Sequence, residues 1–470
     1  MTDPAFSSVP APASAPARAS APASGQADVD AGHDLTAGML PADAAPTTFA
    51  ELTTIRTGGR PLFLLAPETE DELIETVQDV WASGEDWLLL GGGSNTVAAD
   101  TEFDGTVVRV LTRGMTLLEP GRAADSADSS AAAAAAAAAG AADGDAVAVA
   151  VAAAAAVAVA AAADAAAGAG ADRVVLRVQA GEPWDDLVAH TVAQGWSGIE
   201  ALSGIPGSTG AAPVQNIGAY GQELANSLVA IDFLDYESGE RRRIPAAELE
   251  LGYRTSLLKH GLRGLVVAVE LELWDTAAEA SVLGAALSRP LAFPQLADAL
   301  GVHLGDRVPL ADVRATVLRL RAAKGMLLNP GDPDTTSAGS FFTNPIVSLS
   351  FSRTLPESAP RWPLNDPELP DRVIPLEDYY GIGPVPGAAP VVPLVKLSAA
   401  WLIEHAGISR GFRLPGSRAA VSSKHTLALT NTGGASGEEI AQLARFVQQR
   451  VQAEFGVILQ PEPVLVGLGL

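Results

Sequence analysis

Two glycine-rich stretches and one isolated hydroxyl are the residues of this chain whose types and spacing could do chemistry. The stretches are GGGSN at 91–95 and GIPGSTGAAPVQNIGAYGQE at 204–223. Glycine lets backbone approach a ligand closely, and successive N–H groups in such turns form a concave site for phosphate oxygens. Ser94, Asn95, Ser208 and Thr209 add short hydroxyl and amide donors. Neither stretch is a dinucleotide fingerprint or a phosphate loop, because no G-x-G-x-x-G follows the first strand and no G-K-[ST] follows a glycine turn. The expectation is a pyrophosphate held in another way, with plain tight turns as the alternative. The hydroxyl is Ser340 in SAGSFFTNP, Ser337 to Pro345. Alone it reads as part of a turn in which Gly339 supplies an unusual dihedral while Phe341 and Phe342 plug into the core. Arg254 in GYRTS and Glu462 between the prolines of LQPEP read singly as exposed charged residues. His260 has no second histidine at ligand spacing, so no metal centre is expected.

The 470 residues include 55 acidic and 30 basic side chains, a formal net charge of −25 that repels nucleic-acid phosphates and anionic membrane surfaces. No nucleic-acid partner is expected. The absence of cysteine excludes disulfides, thiolate metal sites and cysteine nucleophiles, and fits a reducing cytoplasm. Residues 1–46 are biased to Pro, Ala and Ser, lack the basic and apolar regions of a secretory signal, and read as a disordered tail. A second low-complexity tract covers 123–172, with the run AVAVAVAAAAAVAVAAAA at 146–163. That run is long enough for a membrane span, but alanine is weakly apolar, Asp143, Asp145 and Asp164 flank it and no aromatic belt anchors it. It reads as an insertion enlarging the connection between two neighbouring strands, and no membrane span is expected. A monomer is favoured.

The elements that must position the glycines and Ser340 alternate in type. Leu73, Ile74, Val77, Val80 and Trp81 fall on one helical face, and the run WLLLGGG that follows reads as a buried strand ending in glycines. TVVRVL at 106–111, RVVLRV at 173–178, LVAIDFLD at 228–235 and GLVVAVELELW at 264–274 read as further strands rich in β-branched residues. Ser436 and Glu439 form a capping box ahead of a long amphipathic helix through Ile440, Leu443, Ala444, Val447 and Val451. The proline-rich stretch 354–395 reads as irregular loop. The whole is α+β with at least two domains.

Taken together and in order, TTIRTGG (53–59), LLLGGGSN (88–95), the 204–223 stretch, GYRTSLLK (252–259), AGSFFTNP (338–345) and LQPEPVLVG (459–467) resemble the UDP-N-acetylenolpyruvoylglucosamine reductase family. The likeness runs from about 48 to 470 without the alanine tract. It implies a two-part FAD-binding region of the vanillyl-alcohol-oxidase (PCMH) type over 47–275, interrupted by 123–172, and a C-terminal α+β substrate-binding domain over 276–470. It implies FAD as cofactor, NADPH as hydride donor and UDP-N-acetylglucosamine enolpyruvate as substrate, reduced to UDP-N-acetylmuramate for peptidoglycan. Carried over by motif, it makes Arg254 and Glu462 a stabilising pair and Ser340 the proton donor. It places Gly91, Gly92, Gly93, Ser94, Asn95, Gly204, Ile205, Pro206, Gly207, Ser208, Thr209, Gly210, Asn216, Gly218 and Ala219 at the flavin. Lys324 and Asn344 fall at substrate-binding positions, and Tyr253 is assigned to the substrate as well, with packing on the flavin or in the core as its alternatives.

Two departures stand out. Where longer-looped relatives carry a tyrosine this chain has Phe293, so a hydroxyl to the substrate diphosphate is expected to be missing, and Thr343 stands where many relatives have lysine. The alternatives are a flavin oxidase on the same fold and a non-catalytic flavin-binding relative. A covalent flavin tether is disfavoured, since there is no cysteine and the only histidine before GGGSN is His33.

Overall fold

The computed structural model describes residues 47–118, 173–364 and 393–470. The expected tail at 1–46 and the insertion at 123–172 lie outside the described residues.

The first layer is a three-stranded parallel sheet in the order Pro61–Leu65, Phe103–Arg109, Trp87–Leu90. Between its first two strands in sequence runs the expected helix, Glu70–Ser83. Thr69 and Glu72 close a reciprocal capping box at its start, Glu70, Asp71 and Glu72 face the positive end of the helix dipole, and Gly84 ends it at φ 74°. Leu73, Val77 and Val80 are buried, each contributing about 1.5–3 kcal/mol relative to exposure. The Trp87–Leu90 strand ends directly in Gly91.

The second layer is a six-stranded antiparallel sheet. Its main path runs Arg241–Pro245, Leu228–Asp235, Gly264–Asp275, Arg173–Gln179, Met115–Leu118, and Trp196–Ser197 pairs with the end of the long central strand. The central strand is buried continuously from Leu265 to Leu271, which explains its apolar sequence. Its one buried carboxylate, Glu270, is matched by the Arg243 guanidinium on the edge strand at 2.8 Å. Leu118 lies opposite Val175 and Met115 opposite Val178, so the strands flanking the insertion are indeed neighbours. Glu70 on the helix and Asp232 on the sheet share Arg177 and Arg241, a four-member network tying the two layers.

The C-terminal part has its own core around Phe341, Phe342, Leu402, Ile440, Leu443 and Val447. The helix Gly437–Phe455 starts at the expected box, with Ser436 N donating to Glu439 Oε2 at 2.8 Å and Glu439 N to Ser436 Oγ at 3.1 Å. It packs on a sheet ordered Ser337–Ser340, Ala428–Asn431, Ala419–Val421. The stretch read as irregular loop differs where it is described: Arg361–Pro363 and Leu394–Leu397 are strands, joined with Ile346–Ser348 in a small sheet. Proline did not prevent this because Pro363 ends an edge strand, where a missing N–H costs no ladder bond. The remainder, 365–392, lies outside the described residues. Among the described residues no helix is long and apolar enough to cross a membrane.

Candidate active site

The last strand, Val464–Val466, does not join the C-terminal sheets. It pairs in parallel with Thr96–Ala98, immediately after GGGSN, and Val464 N donates to Asn95 O at 2.9 Å. This crossing carries Glu462 beside the first glycine turn. Its carbonyl accepts from Asn95 Nδ2 at 3.2 Å and from Gln215 Nε2 at 2.7 Å, while its N–H donates to Phe341 O at 2.9 Å. Four motifs distant in sequence thus meet at one backbone unit, and the Glu462 side chain is aimed by a fixed main chain.

That side chain meets Arg254, whose Nε lies 3.3 Å from Glu462 Oε1. Arg254 adopts φ 53°, a left-handed conformation that a non-glycine residue keeps only when its surroundings hold it. The holding contacts are visible. Gly252 and Thr255 exchange backbone hydrogen bonds around the turn, Lys259 Nζ donates to Arg254 O at 3.0 Å, and Arg254 Nη2 donates to Gly218 O at 2.8 Å. Burial opposes the Arg254 charge, but Glu462, Tyr253 and Glu223 outweigh it and raise its pKa above the ordinary value.

The two glycine stretches pack on each other. A Cβ on Gly91 would fall 2.2 Å from Ser208 Oγ, one on Gly92 would fall 2.7 Å from Gly207 Cα, and one on Gly93 would fall 2.0 Å from Leu52 O. Side chains are therefore excluded, and bare backbone faces a cavity of about 470 Å³. Such a cradle suits the pyrophosphate of a flavin dinucleotide. The side-chain donors expected to help are mostly engaged elsewhere. Ser94 Oγ donates to Pro206 O at 2.9 Å and so fastens one turn to the other, while Thr209 Oγ1 donates to Glu182 O at 3.0 Å and Asn95 Nδ2 to Glu462 O, tying each turn to a neighbouring segment.

Of the residues singled out in sequence, the cavity is lined by Gly91, Gly92, Gly93, Ser94, Asn95, Ile205, Pro206, Gly207, Ser208, Gly218, Ala219, Tyr253, Arg254, Lys324, Ser340, Asn344 and Glu462. Gly204, Thr209, Gly210 and Asn216 stand behind the wall. Asn216 is a buried clasp at φ 42°, donating to Glu223 Oε2 at 2.9 Å and Gly252 O at 3.1 Å and accepting from Ala225 N at 2.9 Å. Ser340 ends its strand opposite Ala428; Gly339 before it takes φ 73° with open space around its Cα, and Phe341 and Phe342 are buried. The unusual Gly339 dihedral and the buried phenylalanines are as read, but they belong to an irregularity within the strand Ser337–Ser340 rather than to a turn, and Ser340 lines the cavity. Asn344 Oδ1 accepts from Ala399 N at 2.9 Å, and Asn344 also hydrogen-bonds Tyr253. Phe293 is not among the residues lining the cavity: it packs edge to face against Tyr220, ring centres 5.9 Å apart, and Tyr220, like Tyr253, lines the wall.

Three charged residues escaped the sequence reading. Arg321 lines the cavity and donates to Gly204 O at 3.1 Å, its pKa lowered by burial. The signal was present: it continues the buried face Leu310, Val313, Val317 of the helix Leu310–Ala323, a cation where the pattern calls for a hydrophobe. Glu223 is buried beneath Asn216, and burial raises its pKa. Lys396 is buried within the apolar run VVPLVKL.

An α+β chain whose paired glycine turns form a backbone cradle beside an arginine–glutamate couple and a serine belongs to the flavin-dependent oxidoreductases. A profile described as FAD binding domain matches residues 169–244, and one described as UDP-N-acetylenolpyruvoylglucosamine reductase, C-terminal domain, matches 332–466. The reductase of that name from Leifsonia xyli is 53% identical over 90% of this chain and 99% of its own length, and that from Salinispora arenicola is 39% identical over 89% and 94%. The crystal structure of the Thermus caldophilus enzyme aligns with 89% of this chain and 97% of its own, at 22% identity and a TM-score of 0.48. The chain belongs to the UDP-N-acetylenolpyruvoylglucosamine reductase family, and FAD is its cofactor.

Proposed function

We propose that this chain reduces the enolpyruvyl ether of UDP-N-acetylglucosamine enolpyruvate to UDP-N-acetylmuramate, at the expense of NADPH, as a step of peptidoglycan synthesis in the cytoplasm, and that it acts as a monomer. The reading rests on the convergence of Arg254, Glu462 and Ser340 on the cavity that the two glycine turns also line. Bound FAD, held by the glycine turns, would supply the hydride chemistry between NADPH and the terminal carbon of the enol ether.

The protein's own groups handle the charge that follows. Hydride addition leaves negative charge on the adjacent carbon and its carboxylate. Arg254, cationic throughout the physiological range, stabilises that enolate, and Glu462 orients the guanidinium. Ser340 Oγ passes its proton to the carbanionic carbon, closing the new C–H bond. The resulting alkoxide is tolerable only where neighbouring charge or a proton relay stabilises it, and it recovers a proton from solvent. Tyr253, Lys324 and Asn344 hold the substrate, while the glycine turns, with Ile205, Pro206, Ser208 and Ala219, hold the flavin. Within this reading 47–275 serves the flavin and, through Tyr253 and Arg254, reaches the substrate held by 276–470, with the last strand crossing back. Following NADPH oxidation by the FAD-loaded protein with and without the enolpyruvyl nucleotide tests the proposal; oxidation indifferent to that nucleotide would refute it.

A further inference from the structure

Lys396 sits in the middle strand of the small sheet Ile346–Ser348, Leu394–Leu397, Arg361–Pro363, paired with Ile346 on one side and Trp362 on the other. It is only 2% exposed, a burial that lysine ordinarily avoids. Its ammonium lies 4.8 Å from the ring centre of Tyr253 and 5.8 Å from that of Trp362. Tyr253 lines the cavity, so Lys396 is separated from the substrate chamber by one aromatic ring. The strand is joined to the substrate motif, since Leu397 N donates to Pro345 O at 2.9 Å and Ala399 N to Asn344 Oδ1.

The ionisable groups that act on the ammonium are Glu223, Arg254 and the Tyr253 phenol, with Glu462 behind Arg254. Arg361, on the neighbouring strand, turns its guanidinium away onto the carbonyls of Ser352, Leu355 and Pro356. When Arg254, Lys396, Glu223 and Glu462 are all charged, the cluster is neutral. An anionic substrate entering beside Arg254 disturbs that balance, and Lys396 is the member with room to respond.

We propose that Lys396 is a positioning residue that supports Tyr253 from below and supplies the compensating positive charge when the anionic nucleotide binds, so that binding takes up a proton at this lysine. The inference rests on the function proposed above. Burial, reinforced by Arg254 and partly offset by Glu223, brings the lysine to about 7. A bound carboxylate or diphosphate cancels the repulsion from Arg254 and raises the value further. Below about pH 7 the lysine is protonated before and after binding, so affinity is flat. Between the free and bound values binding captures a proton, and affinity falls by up to about tenfold per pH unit.

The test is calorimetric titration of the oxidised holoenzyme with the enolpyruvyl nucleotide, which is not turned over without NADPH. Heats are compared in phosphate and Tris at pH 7.5, and affinity is followed from pH 6.5 to 8.5. Wild type should take up a fraction of a proton and weaken several-fold toward pH 8.5. Lys396→Arg, charged throughout, should bind without proton uptake and with a flat profile; Lys396→Met should bind more weakly, also flat, with an unchanged flavin spectrum. Equal heats in the two buffers for wild type, or unchanged uptake in Lys396→Arg, would overturn the role of Lys396 alone. A wild-type holoenzyme that does not bind the nucleotide would overturn the functional reading and this inference with it.

Discussion

Arg254 Nε and Glu462 Oε1 lie 3.3 Å apart, one held in a strained left-handed turn and the other on a strand that crosses back to the flavin region. The pair joins two parts of the chain at the wall of the cavity. Glu462→Gln keeps the backbone contacts to Asn95, Gln215 and Phe341 but removes the carboxylate. Turnover should fall about 10²–10³-fold with FAD content unchanged, the usual scale for losing one electrostatic stabiliser. Steady-state kinetics beside the flavin absorbance decide it, and full activity would remove Glu462 from the mechanism.

Ser340→Ala separates the two half-reactions. Stopped-flow reduction of the flavin by NADPH should proceed at the wild-type rate, whereas its reoxidation by the enolpyruvyl nucleotide should slow by about 10²–10⁴-fold, the usual contribution of a positioned acid. Reoxidation at near-normal speed would assign the proton to another group.

Gly93 and Gly84 form a matched pair for testing the cradle. Both have positive φ, but a Cβ on Gly93 meets Leu52 O at 2.0 Å while one on Gly84 meets nothing within 4 Å. Gly84→Ala should cost about 1 kcal/mol and leave the protein yellow. Gly93→Ala should cost about 1–3 kcal/mol and yield protein depleted of FAD. Thermal denaturation and flavin content measure the two effects, and FAD retained by Gly93→Ala would show that the turn tolerates displacement.

The network of Glu70, Asp232, Arg177 and Arg241 sets an acid limit on stability. Burial works against both carboxylates, but Gln179, Arg177 and Arg241 at Glu70, and Arg241 and Arg177 at Asp232, prevail and hold both pKa values below the ordinary range. Groups depressed in the folded state stabilise above their unfolded pKa and lose that contribution as pH falls through the folded one. The denaturation midpoint should therefore drop below about pH 4. Asp232→Asn should lower stability at pH 7 by about 1–3 kcal/mol and flatten the acid limb. An unaltered pH profile would show that the network contributes nothing to stability.

Removal of residues 124–171 should leave FAD binding and activity intact, because Leu118 and Val175 already face each other across an antiparallel pair that a short loop can close. Loss of flavin in the shortened protein would show that the tract packs on the fold.

Local pattern was enough for much of this protein. Leu73, Val77 and Val80 repeat at helical spacing, the strand runs at 173–178, 228–235 and 264–274 carry β-branched residues, and Ser436 with Glu439 announces a helix start; each signal concerns residues a few positions apart, where backbone geometry dictates periodicity. The order of six motifs was likewise legible, and with it Arg254, Ser340 and Glu462. Tertiary structure alone decided what those residues touch. No local rule requires Val464–Val466 to pair with Thr96–Ala98, and that pairing is what brings Glu462 to Asn95 and Arg254. The hydroxyls of Ser94 and Thr209, plausible phosphate donors as residue types, are engaged with carbonyls, Ser94 with Pro206 of the other glycine turn and Thr209 with Glu182 of a neighbouring segment. Lys396 and Arg321, ordinary surface residues by type, are buried beside the cavity, and a charge's neighbours and solvent, set by chain segments hundreds of residues away, determine its chemistry.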